Sequence, residues 1–197
     1  MRKLVVTEYL TLDGVMQDPG GVGEIEQGGW TVPYWNDELA TFQYDGLVAS
    51  DALRLGRVTY EVFAAAWPNM TEEGDFAARM NGYSKYVSST SFERAEWNNS
   101  HIIKGNVAEE VAKLKQQASR DILVYGSGEL LATLMEHDLV DEYRLIVYPV
   151  VLGTGKRLFR DDTVTKLKPT ATKLFSSGVV ALCYEPADRK APVLTSD

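Results

Sequence analysis

One cysteine, two histidines and no long apolar run set the outer limits for this chain of 197 residues. Cys183 alone cannot close an intramolecular disulfide, and with only His101 and His137 beside it the composition argues against a structural zinc site, so no metal is expected. Basic excess is also missing. Twenty Lys and Arg against 28 Asp and Glu leave a net charge of −8, which argues against nucleic acid or an anionic membrane as the general partner. The opening Met1-Arg2-Lys3-Leu4-Val5-Val6 enters an apolar run too short for a signal sequence, with charge soon after at Glu8 and Asp13. A cytoplasmic protein is expected. No Gly-x-Gly-x-x-Gly follows the first apolar segment, so the ordinary dinucleotide fingerprint is absent too.

What is present is a composition that is 45% hydrophobic, suited to one domain over residues 1–186 followed by a polar tail, 187–197. Lys3 to Tyr9 is rich in β-branched residues and reads as a central first strand ending at the turn Leu12-Asp13-Gly14. Residues 17–30 hold Gly20, Gly21, Gly23, Gly28 and Gly29, and read as a mobile loop, either a surface insertion or a lid. Asn36 predicts the cap of a helix over 37–49. Strands are predicted at 52–55, 83–89, 101–104, 122–125 and 142–151, with helices after Gly56, after Asn106 and over 129–136. Residues 166–172 and 179–185 read as two strands about a turn at Ser176-Ser177-Gly178. Alternating strands and helices predict an α/β sheet covered on both faces.

In such sheets ligands bind at the carboxyl ends of the strands, where three motifs converge. Gly126-Ser127-Gly128 joins a buried strand to a helix whose first free N–H groups carry partial positive charge. Gly56-Arg57 with Thr59 opens a second such helix, and Ser88-Ser89-Thr90 ends another strand. Guanidinium, hydroxyls and helix N-termini all suit phosphate, and three such turns need one extended, multiply phosphorylated ligand. A dinucleotide fits, and Arg57 tilts the choice to NADP.

These residues resemble the dihydrofolate reductase-like superfamily, in particular stand-alone bacterial proteins related to the reductase domain of the bifunctional riboflavin-biosynthesis deaminase/reductase. The resemblance rests on Leu12-Asp13-Gly14, Leu55-Gly56-Arg57-Val58-Thr59-Tyr60-Glu61, Lys85-Tyr86-Val87-Ser88-Ser89-Thr90, Val124-Tyr125-Gly126-Ser127-Gly128 and the stretch from Val140-Asp141-Glu142 to Phe159. It implies a three-layer α/β/α fold with a central, mainly parallel sheet and an antiparallel C-terminal strand pair. It also implies NADPH as cofactor and a small heterocycle as hydride acceptor, with the phosphoribosyl-pyrimidine reductase of riboflavin synthesis first and a pterin or folate reductase second. Gly126, Ser127, Gly128 and the adjoining Glu129 then match the pyrophosphate turn; Gly56, Arg57, Ser88 and Ser89 match the ribose-phosphate site; Thr59 matches the centre of the cofactor and Tyr125 the nicotinamide. Relatives commonly dimerise through the region of 145–152, which implies a homodimer.

Reduction also needs a proton donor. Set against the acid-bearing helix of dihydrofolate reductases, Glu38 falls nearest and Asp37 one residue off; Asp13, at the cofactor end of the first strand, is the other candidate. Gly14, Tyr34, Trp35, Phe42 and Tyr148 are the expected substrate contacts, with Trp30, Tyr34 and Trp35 serving as a substrate wall or as a loop anchor. Gly153-Thr154-Gly155-Lys156 resembles a phosphate loop, but Arg157 stands where a hydroxyl is needed, which argues against nucleotide hydrolysis. A nucleotide-binding module without turnover is the alternative of another class.

Overall fold

The computed structural model describes residues 1–70, 74–161 and 164–188. Eight strands form one sheet: β1 (Leu4–Thr11), β2 (Ser50–Gly56), β3 (Ser84–Ser88), β4 (Ser100–Ile103), β5 (Asp121–Tyr125), β6 (Glu142–Tyr148), β7 (Leu167–Leu174) and β8 (Val180–Pro186). Five α-helices accompany them: α1 (Asp37–Val48), α2 (Arg57–Ala66), α3 (Gly74–Gly82), α4 (Val107–Gln116) and α5 (Gly128–Glu136). The strand order is β4-β3-β2-β5-β1-β6-β8-β7. All pairings are parallel except those of β8, which runs antiparallel to both neighbours.

β1 is buried on both faces, as expected of a central parallel strand. Its alternation sorts the core: Leu4, Val6 and Leu10 pack with Val111 and Leu114 of α4 and Leu130, Leu131 and Leu134 of α5. Val5 faces the opposite layer with Leu47 of α1, Tyr60 of α2 and Met80 of α3. The expected three-layer α/β/α arrangement with its antiparallel C-terminal pair is therefore present. β7, exposed almost throughout, forms the edge beyond these helices.

The differences from the sequence expectations are local. The strand over 142–151 stops at Tyr148, because Pro149 has no N–H for a ladder and the chain turns so that Val150 accepts the N–H of Leu12 at 2.8 Å. Helix α3 was not anticipated: only Ala77 and Met80 are buried in it, a signal of two residues between Gly74 and Gly82. The loop over 17–30 is folded rather than loose. Asp18 accepts the N–H groups of Val22, Gly23, Glu24 and Ile25 at 2.6 to 3.3 Å, and Trp30 donates its indole N–H to the Gln17 carbonyl at 2.9 Å. The tail expected from 187 lies, from 189 onward, outside the described residues.

Candidate active site

A cleft of about 880 Å³ crosses the carboxyl ends of β1, β5, β2 and β3 and reaches the start of α4. Among the described residues it is lined by all ten of the expected cofactor contacts: Gly56, Arg57, Thr59, Ser88, Ser89, Tyr125, Gly126, Ser127, Gly128 and Glu129. The register explains their convergence. Gly56 lies beside Ser88 across β2 and β3, and Thr7 beside Tyr125 across β1 and β5, so the turns after three strands open in one line.

Two of these turns are built to leave donors free. Ser127 stands at the N-cap of α5 in the left-handed region (φ 70°), yet its hydroxyl does not cap the helix. The oxygen instead accepts the Gly56 N–H at 2.7 Å and the proton goes back to Thr59 Oγ1 or the Tyr125 carbonyl, each at 3.0 Å. Gly56, the N-cap of α2, has no side chain to offer. Both helices therefore present uncapped first-turn N–H groups, whereas α1 and α4 are closed by Asn36 and Asn106. Gly126, also left-handed, has no room for a Cβ, which would meet Thr59 Oγ1 at 2.9 Å. Such a floor accepts an anion at close approach. Arg57, Lys104, Lys156, Arg157 and Arg160 add positive charge to this cleft of an otherwise acidic protein.

Glu8, which the sequence reading notes only as a charge after the first apolar run, lies in the cleft wall at 4% exposure. Its carboxyl accepts the Gly126 N–H, its Oε1 has no partner, and burial pushes its pKa well above the usual carboxylate range. The signal was legible as a lone acid inside the apolar strand Leu-Val-Val-Thr-Glu-Tyr-Leu-Thr. Tyr9, the next residue, also lines the cleft, and its phenol is pushed up by burial and by nearby Tyr148, Tyr125 and Glu8.

The three expected proton donors stand elsewhere, outside the cleft lining. Asp13 accepts from Thr11 Oγ1 at 2.6 Å and from the Leu152 and Gly153 N–H groups at 3.2 and 2.8 Å, and these bonds, the hydroxyl first, hold it down at about 2. Glu38 accepts the N–H and hydroxyl of Ser176 at 2.8 and 2.7 Å, tying α1 to the turn before β8, and the same bonds lower its pKa. Asp37 sits in the first turn of α1. Nor do the expected substrate contacts reach the lining. Gly14 closes the turn after β1, and Trp35 is 52% exposed. Tyr34 packs edge-on against the buried Tyr148, which meets Tyr9 in the same way at 5.6 Å. Phe42 packs on Phe175 and borders a smaller cavity with Arg144 and Cys183. Of this aromatic group, Tyr9 is the member that touches the cleft.

Residues 2–181 match the model of the RibD C-terminal domain. The chain belongs to the RibD C-terminal domain family. Its relatives include the uncharacterized protein YyaP of Bacillus subtilis (strain 168), 34% identical over 187 residues and covering 93% of this chain and 94% of that one. Among solved structures, a putative riboflavin biosynthesis protein from Shewanella sp. PV-4 superposes with a TM-score of 0.73 at 18% identity, covering 94% of this chain and 99% of the other. A dihydrofolate reductase from Enterococcus faecalis, complexed with NADP(H), superposes with a TM-score of 0.61 at 13% identity, over 94% of this chain and 97% of that one. These likenesses bear on fold, and they agree with the strand order and the mixed sheet. No described helix is long and apolar enough to cross a membrane, and no group of three His, Cys, Asp or Glu among the described residues is placed to hold a metal.

Proposed function

We propose that the protein is a cytoplasmic NADPH-dependent reductase of a small heterocycle, most like the 5-amino-6-(5-phosphoribosylamino)uracil reductase of riboflavin biosynthesis. The observation that carries this reading is the pair of uncapped helix N-termini, α2 and α5, locked together by Ser127 and opening on one cleft with Arg57, Ser88 and Ser89. In this reading residues 1–186 act as one domain. The amides of Gly126, Ser127, Gly128 and Glu129 hold the pyrophosphate, Arg57 with Ser88 and Ser89 holds the ribose phosphate, and Gly56, Thr59 and Tyr125 line the course between. NADPH, when bound, supplies the hydride.

The proton for the accepting C=N or C=O comes, in this reading, from Glu8. It is the buried carboxyl in the cleft wall, it has an oxygen without a partner, and its burial favours the protonated form by pushing its pKa well above the usual carboxylate range. Glu8 gives its proton to the atom beside the one that takes hydride, and is reprotonated from solvent through the open cleft. Asp13 and Glu38, ionised and committed to backbone N–H groups, serve the scaffold instead. A homodimer through the late strands is part of the proposal, supported by the exposed Leu174 of β7 at the edge of the sheet.

The test is titration of the purified protein with NADPH and NADH, following tryptophan fluorescence, with Arg57→Ala beside the wild type. Micromolar NADPH binding that Arg57→Ala weakens supports the reading, and binding without turnover of any pyrimidine or pterin leaves a nucleotide-binding module. Binding of neither nucleotide sinks it.

A further inference from the structure

Beneath Ser88 lies a second guanidinium that the cleft lining does not include. Arg54, in β2, is 0% exposed, an extreme position for a side chain that stays charged. Its Nη1 donates to the Tyr86 carbonyl at 2.7 Å, its Nη2 donates to Ser88 Oγ, and its Nε has no partner. None of the ion pairs among the described residues includes it. Burial pushes its pKa down to about 10, against the opposing pull of Glu110, so it remains charged at neutral pH. Glu110 acts on it only through space, and a buried cation that no carboxylate contacts directly is costly, since buried charges are ordinarily paired. The surroundings of Arg54 in β2 are apolar: Val124 and Tyr86 lie beside it in register and Ala52 shares its strand face, all three in the hydrophobic layer.

Hydrogen-bond polarity says what the arrangement is for. Guanidinium can only donate, so Ser88 Oγ must accept from Arg54. The hydroxyl proton is thereby turned away from Arg54, and Ser88 lines the cleft. Ser88 is thus fixed as a donor toward the cleft, with a full positive charge directly behind it. Gly56 lies beside Ser88 in register, and Arg57 follows Gly56, so a second cation stands on the outer side of the same spot.

We propose that Arg54 is a specificity-determining positioning residue: acting through Ser88 from beneath the cleft floor, it selects a ligand carrying a phosphate dianion at this subsite over the same ligand without one. The direct ion-pair partner that Arg54 lacks is the ligand's phosphate. This rests on the cofactor reading above, and in those terms Arg54 and Arg57 clamp the ribose phosphate from two sides, with only Arg57 exposed to solvent.

The experiment is calorimetric titration of NADP+ and of NAD+ into wild type, Arg54→Met, Arg54→Lys and Ser88→Ala. The wild type binds NADP+ more tightly; Arg54→Met and Ser88→Ala lower that preference tenfold or more by weakening NADP+ while NAD+ affinity stays within about threefold, and Arg54→Lys retains part of it. A merely structural role for Arg54 would weaken both nucleotides together, and that outcome overturns the inference, as does an unchanged ratio. Should Arg54→Met not fold, Arg54→Lys and Ser88→Ala read the same ratio, and an unchanged ratio in both overturns it. A wild type that binds both nucleotides equally overturns this inference and leaves the reductase reading standing. A wild type that binds neither removes the cofactor reading and this inference with it.

Discussion

Ser127 accepts the N–H of Gly56 at 2.7 Å across 71 residues of sequence, and that bond joins the two glycine-led turns into one floor. Ser127→Ala leaves the Gly56 N–H without its acceptor and Thr59 without its neighbour. The expected cost is about 1–3 kcal/mol, read as a fall in Tm of roughly 3–8 °C. Both turns lose their mutual register, so NADPH and NADH affinities should drop together, unlike the selective loss expected at Arg54. Ser127→Gly separates two effects. It removes the same hydroxyl but relieves the left-handed backbone, so it should unfold at a higher temperature than Ser127→Ala; the reverse order would show that the backbone at 127 carries no strain.

Glu8→Gln tests whether a proton is held in the cleft. Because burial raises the folded-state pKa of Glu8 above its unfolded value, the unfolded chain sheds this proton first as pH rises. The contribution of Glu8 to stability is thus full below about pH 4 and declines upward through the raised folded-state pKa. Gln cannot ionise, so the stability of Glu8→Gln relative to wild type should increase between pH 5 and pH 8 in denaturant unfolding. A difference independent of pH would mean that Glu8 is not held protonated. In turnover, the variant should lose about 10²-fold or more in kcat, the scale of a missing proton donor, while nucleotide affinity changes little.

The parts of the fold set by strong local pattern were legible in the sequence. Strand β1, the Asn36 and Asn106 caps and the turns at 56, 88 and 126 each carry their signal within a few residues. The glycine-led edge of the cleft was legible for the same reason, since each of its turns follows its own strand. The buried carboxyl of Glu8 in its wall was not singled out. Glu38 is a candidate by its place on the helix after Asn36 and Asp13 by its place at the end of the first strand, and in the fold their carboxylates close on Ser176 and on Gly153, about 140 residues away in the chain. Glu8 and Arg54 gain their character from burial between helices α4 and α5 and the sheet, which periodicity alone does not report. A charged residue breaking an apolar strand is the trace that both left.

Asp13→Asn separates scaffold from chemistry. Asp13 holds the turn after β1 to the segment at 152–153, and its hydrogen bonds keep its pKa at about 2, below the unfolded value. Its contribution to stability is therefore present above about pH 4 and lost as pH falls toward 2, a dependence that Asp13→Asn should lack in acid unfolding. The neutral amide retains one acceptor oxygen, so kcat should stay within about tenfold of wild type, short of the loss expected at Glu8. A collapse of kcat with unchanged stability would return Asp13 to the role of acid.

Asp18→Ala reaches the cleft through its wall. One carboxylate gathers four N–H groups from residues 22–25, and Gly28 has no room for a Cβ because Asp18 Oδ2 occupies that space. Asp18, Pro19, Gly20, Val22 and Glu24 line the cleft, so the loop forms one side of it. Removing the carboxylate leaves the indole of Trp30 on Gln17 and the hydroxyl of Thr31 on Pro19 to hold the two ends of the loop, while the middle loses its organiser. Limited proteolysis should therefore cut Asp18→Ala within 20–28 at least about tenfold faster than wild type, with Tm lowered by only a few degrees because the sheet is untouched. Ligand affinity should fall as the wall loosens, and Asp18→Asn, which keeps one acceptor and tolerates the left-handed φ of 49° at this position, should lie between the two. Equal cleavage rates in wild type and Asp18→Ala would show that the glycines and the Trp30 anchor shape the loop without the carboxylate.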